Sequence, residues 1–196
     1  MKKFLSYCFI LSIIANGAIA QNSLSGCTSA TSPSGNIVFF GIDYSLVRFS
    51  YINESAVYAI HTMHEINKLF ITESKKYDVG KLMGKRVVKI NLDYADLVTY
   101  NLNESHVIMN GDYRIGVDDV NALIAKYPDS DDEGIGLVFV AEQMSKKDVI
   151  GTYYVTFFNL KTKEVLTTCR QFGKAGGFGM RNYWAATIYS LMKSWS

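Results

Sequence analysis

The chain has 196 residues, 48% hydrophobic and 19% charged, which is enough to bury a core and points to one domain rather than two. Lys and Arg total 20 against 18 Asp and Glu, and the cations are scattered, which excludes the concentrated basic face of a nucleic-acid binder. Beyond residue 20 no segment approaches the roughly 20 apolar residues of a membrane-spanning helix.

Residues 1–20 open with Lys2 and Lys3, continue through the apolar run Phe4 to Ile14 and end in Ala18-Ile19-Ala20. That order is the pattern of a secretory signal peptide, so the expected address is periplasmic or outer-membrane-associated. Its removal takes two cations and leaves bases and acids equal in number. Cys8 leaves with it, and Cys27 and Cys169 remain in an oxidising compartment, where a disulfide between them is the plain reading. Leu24-Ser25-Gly26-Cys27 also looks like a lipobox, which would put a lipid on Cys27 as the only membrane attachment. Cleavage after Ala20 and lipidation at Cys27 both stand at this point. Residues 21–36, rich in Ser, Thr and Gly, read as a flexible leader, and residues 37–196 as the domain.

Ile37 to Phe40 and Tyr44 to Phe49 are β-rich, with a turn or bulge at Gly41. A helix from Ser55 to Thr72 follows, capped by Asn53 or Ser55, with Ala59, Met63, Ile66 and Phe70 on its core stripe. Arg86 to Leu92 alternates as a half-buried strand. Residues 93–112 fit either a strand or a short helix. Asp118 can cap a second helix that ends before Pro128. Ile135 to Glu142, Gly151 to Leu160 and Glu164 to Phe172 read as a three-strand meander, and Asn182 caps a closing helix whose Trp184, Ile188, Leu191 and Met192 can pack on the sheet. The fold class expected is α+β: a mixed, largely antiparallel sheet ending in that meander, packed against about three helices.

Candidate chemistry is sparse. His61, His64 and Glu65 have a metal-like spacing on the first helix, but the helical period turns His61 to solvent and His64 to the flank of the core, leaving no three convergent ligands. Asp129 to Gly134 opens like a calcium loop, yet the closing acid would fall on Val140, so a solvated loop is expected. The turn Gly173 to Asn182 enters a helix and can aim N–H groups at an anion, with Lys174, Gly176, Gly177, Arg181 and Asn182 as candidate ligand-binding residues and Trp184 beside them. Its spacing matches neither a phosphate loop nor a dinucleotide turn. Tyr183 and Trp184 are the best candidates for an exposed ring. No Gly-x-Ser-x-Gly elbow or Ser/Cys–His pairing is visible, and no motif calls for a cofactor.

Gly134 to Val140, and Val155 to Leu166 running into Gly173 to Trp184, resemble a family of uncharacterised secreted proteins from the Bacteroidetes. More distantly, the strand, the Lys-Thr-Lys turn, the next strand and the Gly-Lys-Ala-Gly-Gly turn resemble the closing part of envelope modules in TolB and the curli-secretion lipoprotein. The likeness covers about the last sixty residues, with Asn159 where those modules tend to carry Asp. It implies an adaptor or assembly module with an envelope protein as partner, and no catalytic residue carries over. The expected function is therefore a non-catalytic protein-binding module. The alternative is a small-ligand or anion binder, extending to a hydrolase, centred on the Gly173–Asn182 turn.

Overall fold

The computed structural model describes residues 35–82, 84 and 87–194. The signal peptide and Cys27 lie outside these residues, as does all of the leader except Gly35 and Asn36. In chain order the elements are β1 (Ile37–Asp43), β2 (Arg48–Ser50), α1 (Ala56–Thr72), α2 (Val79–Leu82), β3 (Val87–Ile90), α3 (Asp93–Tyr100), α4 (Glu104–Val107), β4 (Ile108–Met109), α5 (Val117–Ile124), β5 (Ile135–Ser145), β6 (Ile150–Asn159), β7 (Val165–Lys174) and α6 (Met180–Lys193).

All seven strands form one sheet built around β5. β1 and β2 lie end to end along one edge of β5, both parallel to it: Ile37 faces Ile135 and Asp43 faces Val140, then Arg48 to Ser50 face Gln143 to Ser145. Outside them run β3, parallel to β1, and β4, parallel to β2. The other edge of β5 pairs antiparallel with β6, and β6 with β7.

The expected largely antiparallel α+β sheet is therefore overturned. The strands β3-β1-β5-β2-β4 are all parallel, and six helices accompany them among the described residues, which makes the fold α/β. The reason is that local pattern announces hairpins but not parallel ladders. Ile37 and Ile135 pair across about half of the chain with no turn between them to mark it, and the segment that joins them contains the helices a parallel crossover needs. The stretch 93–112 contains α3, α4 and β4, of which β4 pairs with β2.

Helices cover both faces. On one, α1 contributes Met63, Ile66 and Phe70 and α6 contributes Trp184, Ile188 and Leu191, packing on Phe39, Phe49, Phe139 and Phe157. On the other, Val120, Leu123 and Ile124 of α5 join Tyr127 over Phe40, Val138, Val140 and Phe158. β5 is accordingly buried at all of its positions, and its first part, Ile135 to Ala141, reads as a continuous apolar run rather than an alternation. Each large apolar side chain so buried contributes about 1.5–3 kcal/mol.

The caps follow local chemistry where a side chain supplies it. Ser55 Oγ accepts from the Tyr58 N–H at 3.2 Å and starts α1. The other two expected caps are displaced. Gly116 caps α5, its N–H held by the Asp119 carboxylate at 2.7 Å, so Asp118 lies inside the helix. Gly179 caps α6, which begins two residues before Asn182. No described helix is long and apolar enough to cross a membrane.

Candidate functional site

The end of the sheet where β7 passes into α6 carries the feature that sets this surface apart. Gly173 is the one buried position of β7, where a Cβ would stand 1.7 Å from the Thr187 carbonyl oxygen, so the strand can pass under α6 only as glycine. The next N–H groups are spent inside the fold: Ala175 donates to the Val149 carbonyl at 2.8 Å and Gly176 to the Tyr183 carbonyl at 3.1 Å. Gly177 and Gly179 then take φ of 100° and 77°, which lets the chain reverse directly into α6. Between these glycines stands Phe178, 96% exposed. A pinned turn thus holds an aromatic ring in water.

Around Phe178 the surface is aromatic and basic. Lys146 lies 5.2 Å above the Tyr183 ring and 3.7 Å from the Glu54 carboxylate, and Lys147 lies 5.3 Å above Tyr51. Arg181 reaches back to Glu73, which caps the C-terminus of α1, at 3.6 Å and to Asn182 Oδ1 at 3.1 Å. Lys174 is exposed. A groove of about 280 Å³ runs beside the turn, lined by Glu54, Lys146, Phe178, Tyr183 and Trp184.

The anion candidates fare unevenly in this geometry. Lys174, Gly176, Gly177, Arg181 and Asn182 come together at one end of the molecule, but they do not converge on a point. The Gly176 N–H is already bonded, Arg181 is drawn to Glu73, and the Glu54 carboxylate lines the groove that an anion would enter. Trp184 is not an exposed ring. It is 1% exposed and packs edge-on against Phe49 at 5.5 Å, as the core side of α6 requires.

His61 is exposed and His64 is 4% exposed, on different sides of α1, with Glu65 bonded to Lys68. No group of three metal-binding side chains occurs among the described residues. His64 Nδ1 lies 3.3 Å from Asp96 Oδ1 and its ring stacks on Tyr100. Its Nε2 is buried without a hydrogen-bond partner, so this His–Asp pair has no hydroxyl or thiol to activate. In the acidic loop, Asp132 pairs with Lys89 at 2.7 Å. Cys169 is disulfide-bonded; the chain's other cysteines, Cys8 and Cys27, lie outside the described residues.

Two buried ionisable groups escaped the sequence reading. Asp43, fully buried at the end of β1, accepts from the Ser45 N–H at 2.8 Å and the Tyr127 hydroxyl at 2.9 Å, and burial raises its carboxyl above the usual range. Glu142, fully buried in β5, is held by Arg170 of β7 at 2.5 Å. Both face structural partners. A further groove of about 420 Å³ lies between the β1–β2 turn and α3–α4, lined by Ser45, Arg48, Leu97, Asn101 and His106. Arg48 there donates to the Val47 carbonyl and stacks on Tyr113.

The signal for Phe178 was present as Gly177-Phe178-Gly179, an aromatic flanked by residues that cannot bury it. Compared with family models, curated proteins and solved structures, the chain matches none.

Proposed function

We propose that this chain is an exported, non-catalytic protein-binding module of the cell envelope, which docks its partner through the Phe178 turn. The observation that carries the reading is Phe178 itself. Leaving a phenylalanine in water forgoes about 1.5–3 kcal/mol of burial, and a turn built to hold it there has its use when a partner covers it. Tyr183 and the ion pairs Lys146–Glu54 and Arg181–Glu73 beside it favour a partner that brings an apolar pocket with a polar rim of both charges. The signal-peptide pattern of residues 1–20 and the resemblance of the Gly173–Trp184 segment to envelope modules support the same reading.

The test is co-purification of the tagged full chain and its Phe178→Asp variant from envelope fractions of the native host. Phe178 rests on no core residue, so the variant should melt with the parent while retaining its partner about tenfold less well. Equal retention by both chains would contradict the assignment of the site.

A further inference from the structure

We infer that the cleft between the β1–β2 turn and α3–α4 is a binding site for a small organic carboxylate, whose charge is held by Arg48 and whose apolar body lies on the cleft wall. Its volume, about 420 Å³, falls within the range of small-molecule sites, about 300–1,000 Å³. It lies just past the carboxyl end of β1, where parallel α/β sheets carry their ligand crevices. Val47, Leu97, Val98 and Leu102 give it an apolar wall, while Ser45, Arg48 and His106 supply donors. None of the residues lining it is acidic. Of the acids nearest in sequence, Asp43 is fully buried with its oxygens on the Ser45 N–H and the Tyr127 hydroxyl, and Glu104 stands exposed outside the lining.

The alternation of β2 puts Arg48 in place. Phe49 packs against Trp184 in the core, so Arg48 stands on the opposite face of the strand, where its guanidinium lies 4.9 Å from the centre of the Tyr113 ring and donates to the Val47 carbonyl at 2.8 Å. Pairing of Phe49 with Ile108 sets Arg48 level with the end of α4, which carries His106. The two contacts orient the guanidinium and leave its charge unanswered. Arg170 and Arg181 each have a carboxylate partner, whereas Arg48 has none among the described residues. A half-buried guanidinium held in this way has given up part of its rotamer freedom before a ligand arrives, and its remaining donors match the two oxygens of a carboxylate. The rest of the lining favours a carboxylate on an apolar body over a phosphate. No lysine lines the cleft, five of its ten lining residues are apolar, and the Asn101 amide is spent on the Leu97 carbonyl at 2.9 Å.

The test is saturation-transfer NMR on the chain purified from its native host with the Cys169 disulfide intact, using hexanoate, hexanamide and inorganic phosphate as probes. Hexanoate should bind, and hexanamide, which has the same shape without the charge, should bind about tenfold more weakly. Arg48→Gln should lower the affinity for hexanoate to that for hexanamide and leave hexanamide where the parent has it, a split that a merely structural role for Arg48 would not produce. Leu97→Asp, at a position 57% exposed and therefore tolerated by the fold, should weaken hexanoate about tenfold by setting a negative charge on the cleft wall. Phosphate at equal concentration should not displace hexanoate. Failure of hexanoate to bind, equal binding of hexanoate and hexanamide, or variants that hold hexanoate as the parent does would overturn the proposal. So would displacement by phosphate, which would make the cleft a site for inorganic anions.

Discussion

Asp43 shows how a single buried residue links the fold to a measurable quantity. It sits where β1 leaves the edge of β5, and its carboxylate ties the Ser45 N–H and the Tyr127 hydroxyl together at the chain's turn towards β2. Burial raises its carboxyl above the ordinary 3.8, and the hydrogen bonds oppose this only in part. The folded chain then keeps a proton that the unfolded chain has lost. Its contribution to stability is therefore full below the unfolded value and is lost as pH rises through the folded one. Replacing Asp43 with Asn, which cannot ionise, should make the variant gain on the parent as pH is raised from below about 3.8. Urea titrations of both chains across a pH series measure that difference, and a difference independent of pH would contradict it. None of this was legible beforehand, because an Asp after an apolar run looks like an ordinary turn residue until Tyr127 is known to sit above it.

At the scale of elements, the sequence is legible where the determinant is local and silent where it is not. Ser55 and the stripe Ala59, Met63, Ile66 and Phe70 define α1 within one residue of its expected bounds, because cap and period lie inside the element. The start of α6 was misplaced because its entry depends on Gly177 and Gly179 at positive φ and not on a capping side chain, which made Asn182 the apparent cap. The parallel pairing of β1 and β2 with β5 left no trace in either strand. Gly41, at φ 78°, did mark the bulge in β1, and Asn67 of α1 repairs it by accepting from the Ile42 N–H at 2.8 Å and donating to its carbonyl at 2.9 Å. The seam between β7 and α6 is set by Gly173 in the same way. Gly173→Ala should cost about 3 kcal/mol or more, since the methyl meets backbone of α6 rather than a side chain that can swing aside. Chemical denaturation reads that loss directly, and a variant as stable as the parent would show that α6 is free to lift.

Taken whole, the molecule is a three-layer α/β body whose ionisable groups inside the core serve structure and whose most exposed aromatic stands on a fastened turn. The residues proposed from sequence for an anion lie at the same end of the molecule as Phe178, but Arg181 is turned to Glu73, Trp184 is core, and the most exposed ring is Phe178. That end was legible as glycine-rich; the exposure of Phe178 was not, because glycine spacing suggests N–H groups before it suggests what they hold up. The most direct measurement of the docking claim is photo-crosslinking in the native host, with a benzoylphenylalanine at position 178 and, as control, at Leu97, which is 57% exposed on α3. The account predicts one discrete protein adduct from position 178 and none from position 97. No adduct at 178, or the same adducts from both positions, would contradict it.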